Sequence, residues 1–528
     1  MIYVVEIDYY DGSEQTLYFA SGGGLNGTPT DTPANVVAEP RLISPGSYEQ
    51  HLFRPGTTIG ASEVGFGTIV LNNADGALDA MRDYGYSRGV RLYRGEKPAA
   101  YPGGFELFFT GTAEQVEFTE NEIVVTLANR QAELYNLPVV DDVFSGDTTS
   151  GSHVNGTADD LQGKSYPWVV GNGGGENWSP PMVNASKQTF MVSAKRMTND
   201  WVVWMEGAVV TKGNSHASIA DLQAATVSSG TWDYYLGDGV GEPRAFFRIG
   251  GSIAGRVTMS GTAYRASGTH TAAACCNDIF AHKSETLDST SISDLNTANS
   301  AVTGIYIPTG GLTCGEALDA LLEGVGAGWY ATADGTFKLK RLESPAGGSS
   351  VATFFSWQLL GSEKVRRLTA NDPGAGLPAS RVDYNYNRNY TVMTDADLAG
   401  IVSSDLTRVS RLKNEFKTKT AAAAGGVTTK YPKAVPFPIF SLLTDSTAAQ
   451  TEADRQIDLR EVPQDFISVD VANQDAVKTT GEALSIGDIV TLEYSRYSNT
   501  GSDKYAILGI APDFAANVTT LFLWRPRT

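Results

Sequence analysis

Basic charge, cysteine, histidine and long apolar runs are all scarce in this chain. There are 40 lysines and arginines against 59 acidic residues, for a formal net charge of −19. That balance argues against a protein that grips nucleic acid, which needs basic surface to displace counterions from phosphates. Its plain reading is solubility. Three cysteines in 528 residues, Cys275 and Cys276 adjacent and Cys314 apart, make no disulfide framework. Without a C-x-x-C pair no zinc ribbon is indicated. No stretch approaches the length of a membrane-spanning helix. The opening residues, Met1 to Ile7, have no basic segment followed by an apolar core, so no signal peptide is read there. The expectation is a protein made in a cytoplasm and not exported by the usual route. Gly-x-Ser-x-Gly, His-Glu-x-x-His and Walker patterns are missing too.

What is present is punctuation. The 56 glycines recur with Thr, Ser and Asn between short apolar runs. This favours a β-rich chain with many turns, and its length implies several domains. Residues 1–140 read as an N-terminal β domain. Asp11-Gly12 and Glu120-Asn121 mark hairpins within it. Val64, Phe66, Thr68 and Val70 alternate along a strand, residues 78–84 form a short helical turn, and 90–94, 105–111, 116–118 and 123–127 read as strands. Residues 145–300 shift in composition, with Gly- and Ser-rich breaks between aromatic runs at 201–204, 232–236 and 246–249. They predict an inserted, sandwich-like β domain, and 283–300 reads as an exposed linker.

Residues 301–350 are the best-defined unit. Thr313 and Glu316 form a capping box, and Leu318, Leu321, Leu322 and Val325 make one apolar stripe. Gly324 and Gly326 stop the helix. A hairpin follows, turning at Asp334-Gly335, so the unit is a small α+β module. Residues 351–528 carry a strand at 381–386, a short helix at 452–460 and three closing strands. The fold class is mainly β with one α+β module.

Few residues offer chemistry. His270, Cys275, Cys276 and His282 lie close in sequence and could bind a metal. Adjacent cysteines on a strand point to opposite faces, however, so this set is read as structural. Asp159-Asp160 and the acids at 395 and 397 could pair as in a glycosidase, but nothing singles out a pair. The aromatics of the inserted region could stack on sugars, and are read first as core. No catalytic, cofactor-binding or metal site is assigned, and no cofactor is expected.

Three patches carry a resemblance. Residues 67–86 followed by 90–95, with the Asp75-Gly76 turn, resemble the N-terminal barrel of tail-hub proteins from long-tailed bacteriophages and related gene transfer agents. The helix and hairpin at 312–342, with Trp329 and Asp334-Gly335, resemble the α+β hub domain of that group. Residues 484–524 resemble the strands that complete its barrel. The patches occur in the expected order and cover about half the chain. Residues 145–300 match no named part.

The resemblance implies a hub built from β-barrels at the tip of a viral tail, in the virion, usually as a homotrimer. It implies as partners a distal tail protein, the tail tube or tape measure protein, and central fibre or receptor-binding proteins. DNA would leave through it without specific binding, past acidic walls, and the host surface could be near. Some relatives hold an iron–sulfur cluster near the C-terminus, but no cysteine follows Cys314. On this reading, strands from 64–127 and 381–524 come together in space. The competing readings are a carbohydrate-binding adhesin of the tail and a cell-wall glycan hydrolase.

Overall fold

The computed structural model describes residues 1–148, 153–238, 241–496 and 503–527. The chain is mostly β, with many sheets and a few helices. Strands β1 (Ile2–Tyr10) and β2 (Glu14–Ala20) form a hairpin at Asp11-Gly12, where Gly12 takes a φ of 77° open mainly to glycine. They are followed by β3 (Tyr48–His51), β4 (Phe66–Asn72), β5 (Gly89–Gly95), β6 (Glu106–Phe118) and β7 (Glu122–Asn129). The ladder runs β2-β1-β5-β6-β7-β4-β3. Phe19 of β2 and Leu71 of β4 share one core with Val5, Leu92 and Val125, so this sheet wraps until distant strands fill the same interior. Residues 105–111 and 116–118, expected as separate strands, are parts of the single strand β6.

The strand expected around 64–70 is present as β4. Phe66 and Thr68 point out, while Gly67, Ile69 and Leu71 point in. Both faces carry apolar residues, so alternation alone could not tell inside from outside. Helix α1 (Arg130–Asn136) leaves this unit, capped by the Asn129 side chain on the Gln131 amide.

The inserted region holds β8 (Met182–Asn184), β9 (Thr189–Ser193), β10 (Val202–Met205), β11 (Ala208–Val209), β12 (Thr211–Ser215), β13 (Thr231–Tyr235), β14 (Ala245–Ile249) and β15 (Val257–Ser260). A five-stranded sheet, β8-β9-β14-β13-β12, and a three-stranded one, β11-β10-β15, share a core. Phe190, Trp232 and Phe247 come from the first, Val203 and Met259 from the second. The end of the region departs from expectation. Helix α2 (Ala272–His282) contains both adjacent cysteines, which therefore lie on a helix and not on a strand. The supposed linker contains α3 (Ser289–Ala298), capped by Asp288 and anchored by buried Leu295. Ser, Thr and Asn content suggested a loop, and packing against a neighbouring hairpin overrides it.

That hairpin belongs to the next unit. Helix α4 (Cys314–Glu323) starts with both bonds of the Thr313/Glu316 capping box. Strands β16 (Ala327–Ala331) and β17 (Phe337–Arg341) follow, turning at Gly335 with a φ of 83°. Leu318, Leu321, Leu322 and Val325 are buried as expected. Their core is not confined to 301–350, because it also takes Phe280, Leu295, Tyr384, Ile439 and Ala453.

Strands β18 (Ala352–Phe355) and β19 (Arg366–Arg367) precede β20 (Arg381–Tyr386), β21 (Lys417–Ala422) and β22 (Pro436–Phe440). The last three form their own sheet, β21-β20-β22, beside α5 (Ser446–Arg460). The helix expected at 452–460 is thus longer by two turns. The chain ends in β23 (Gln464–Ala472), β24 (Ile489–Glu493), β25 (Asp503–Asp513) and β26 (Val518–Pro526).

These closing strands join the N-terminal sheet. β3 pairs with β25, His51 opposite Gly509 and Gln50 opposite Ile510, and the ladder continues β25-β26-β23-β19, with β24 and β18 branching from β25. The expected meeting of distant strands is found for 464–526 and not for 381–440, which packs as a separate sheet. Two features lock the junction. Phe514, from the turn after β25, enters the N-terminal core. A seam cluster unites Leu52, Phe53, Tyr330, Leu459, Phe466, Leu508 and Trp524 from four parts of the chain. Each such side chain contributes about 1.5–3 kcal/mol on burial.

Candidate functional site: the cleft between the two β units

The residues singled out by sequence do not converge. Cys275 and Cys276 are buried, and burial pushes the Cys275 thiol up to about 12 and Cys276 well above its ordinary value. A buried thiol of this kind stays protonated and unreactive. Burial also lowers His270 and His282, with Arg265 adding to the first and Lys195 to the second. The His282 ring lies 5.0 Å from that of Trp168. Among the described residues no group of three or more His, Cys, Asp or Glu side chains is placed to hold a metal.

Asp159 and Asp160 are exposed, and Asp160 accepts from the Thr157 amide at 2.6 Å. Asp397 caps its own turn at Thr394, and Asp395 pairs with Lys413 at 2.6 Å. Each of these contacts is local and structural. The aromatics of the inserted region, Trp201, Trp232, Tyr234 and Phe247, are buried in its core. An exposed aromatic pair lies elsewhere, Phe355 and Trp357, with nearly parallel rings 6.0 Å apart.

The structure instead creates a cleft of about 580 Å³ where the N-terminal sheet, the β16–β17 hairpin and the closing strands meet. Volumes of this size are typical of ligand sites. Its floor is aromatic. Phe108 lies 4.3 Å from Phe514 between ring centroids and 5.8 Å from Tyr48, and Phe66, 54% exposed, also lines the cleft. A β-bulge explains Phe108: opposite β5, Leu92 pairs with Phe109 and Tyr93 with Leu107, so Phe108 is the extra residue. A bulge re-aims the side chain that alternation would have put elsewhere. Three apolar residues in a row at 107–109 are the sequence trace of it.

The rim is charged. Glu49, Glu106, Asp288 and Asp334 line it with Arg94 and Lys338. Arg94 is committed to Glu106 at 2.6 Å and lies over the Phe514 ring. Glu49 accepts a hydrogen bond from His51 Nε2 at 2.6 Å. The Thr110 hydroxyl is buried in the wall without a hydrogen-bond partner.

Two buried polar clusters hold the elements around the cleft. Asp319 of α4 accepts from Trp329 Nε1 at 2.8 Å, from the Tyr135 hydroxyl at 2.7 Å and from the Ser62 amide at 3.2 Å. Burial outweighs these bonds and pushes its carboxyl up to about 6. In the second cluster, the Thr58 hydroxyl accepts from Arg460 at 2.8 Å and donates to Asp372 at 2.6 Å. Burial raises Asp372 and lowers Arg460, and Thr58 links the two charges.

No family model matches the chain, and no curated protein does. The chain is similar to three solved tail proteins. One is a 43 kDa tail protein of prophage MuSo2 from Shewanella oneidensis, at 9% identity and a TM-score of 0.42, covering 100% of this chain and 97% of that one. Another is a tail protein from Neisseria meningitidis, at 9% identity and a TM-score of 0.39, covering 99% and 96%. The third is the prophage tail protein gp18 from Listeria monocytogenes, at 8% identity and a TM-score of 0.36, covering 98% and 94%.

Proposed function

We propose that this chain is a structural protein of a bacteriophage-type tail, acting as the hub at its tip. The observation that carries this reading is the junction of β3 with β25. One hydrogen-bonded sheet runs through two wrapped β units whose strands are more than 400 residues apart in sequence. A sheet shared in this way transmits load without a hinge, because the units are joined by backbone ladders and by the seam cluster around Trp524. On this reading copies of the chain close into a ring, a homotrimer. The ring joins the tail tube and distal tail protein on one side to central fibre or receptor-binding proteins on the other. DNA passes its acidic inner wall without being held.

The test is electron microscopy of the particle that contains the chain. Density for it at the tail tip, around the central axis, is the expected result. Density along the tube or in the capsid, or absence from every particle, refutes the reading.

A further inference from the structure

We infer that the cleft between the two β units is a docking site for a short segment of another polypeptide, one that combines an aromatic side chain with flanking lysines or arginines. The inference rests on the cleft alone and does not depend on a position at the tail tip.

The floor asks for an apolar, flat group. Phe66, Phe108 and Phe514 come from β4, the bulge of β6 and the turn after β25, and Phe66 remains half exposed. A ring inserted there gains burial and edge or offset stacking. Phe66 sits on the strand face opposite the packed Ile69 and Leu71, and more than half of its surface stays exposed.

The rim asks for positive charge. Arg94 is neutralised by Glu106. That leaves Glu49, Asp288 and Asp334 against Lys338. Lys338 makes no ion pair among the described residues, so it does not cancel one of these acids by direct contact. The three acids come from three separate segments, β3, the start of α3 and the β16–β17 turn. All three line the same cleft. Acids carried by separate segments suit a guest with more than one cationic side chain.

The experiment uses the full chain and two fluorescein-labelled peptides, GKVWVKG and GEVWVEG, followed by fluorescence anisotropy, with tryptamine as a small-molecule competitor. The basic peptide binds and the acidic one binds at least about tenfold more weakly, the difference shrinking at high salt. Phe66→Ala weakens the basic peptide by about tenfold. Asp334→Asn weakens it by about threefold, and it keeps the hairpin, since Asn-Gly also favours this turn. Hydrogen exchange slows at 106–110 and 330–338 when the basic peptide is present. Equal binding of both peptides, no binding of the basic one, competition by tryptamine as strong as by the peptide, or indifference to Phe66→Ala each overturns the inference.

Discussion

The inserted sandwich and the seam between the two β units are both built on buried tryptophans, yet they depend on the chain in opposite ways. The sandwich core draws almost entirely on residues 169–306, so its partners are near neighbours in sequence. The seam draws on Leu52, Tyr330, Leu459 and Trp524, segments far apart in sequence that meet only in the folded chain. A locally assembled core can open alone. A core assembled from distant segments couples every unit that contributes to it.

The sharpest way to break this contrast is a pair of substitutions of similar size. Trp524→Ala and Trp232→Ala each remove a fully buried indole, at a cost of about 3–5 kcal/mol. Hydrogen exchange distinguishes them. Trp524→Ala raises exchange in 42–129 and 464–526 together, while Trp232→Ala raises it only between 169 and 260. A local effect for Trp524→Ala, or a global one for Trp232→Ala, removes the distinction.

The polar side of the seam is weaker. Thr58→Val deletes the hydroxyl that links Arg460 to Asp372 and leaves two buried charges short of a partner. A loss of about 1.5–3 kcal/mol in denaturant unfolding is expected, with the slope unchanged.

Asp319 gives the contrast a pH dependence. Its carboxyl is raised to about 6 in the folded chain, against 3.8 for the ordinary group. Between those values the folded state binds more proton than the unfolded one, so stability from this group is full below about pH 4. It falls as pH rises towards 6, by on the order of 2 kcal/mol. Asp319→Asn abolishes this part of the slope. A profile identical to that of the parent chain would show that the carboxyl does not titrate in this window. The smallest effect belongs to Phe66→Ala, an exposed position outside both cores, where stability stays within about 0.5 kcal/mol.

Much of the local structure was legible beforehand. Thr313 and Glu316 announced α4, and Asp11-Gly12 and Asp334-Gly335 announced their hairpins. These signals work because capping and turn chemistry act over four residues and need no distant partner. Others were ambiguous. The run at 64–71 is apolar at both alternating sets, and only packing against β7 and the N-terminal core chose Ile69 and Leu71 as the inner face. Cys275 and Cys276 were read on a strand, although the alanines at 272–274, with Thr271 capping the Ala274 amide, favour the helix they occupy. The cleft was not legible at all, since its floor and rim are assembled from segments that pattern reading treats separately.

By itself the sequence determined where helices start, where hairpins turn and which residues are too apolar to remain in water. Only the tertiary structure decided that β3 would meet β25, that 381–440 would form a sheet of its own, and that Phe66, Phe108 and Phe514 would surround one cleft. Backbone donors and acceptors are alike in every strand, and closing a longer loop costs little more than closing a shorter one. Pairing across hundreds of residues is therefore settled by which side chains fit together, and that fit exists only when all of them are in place.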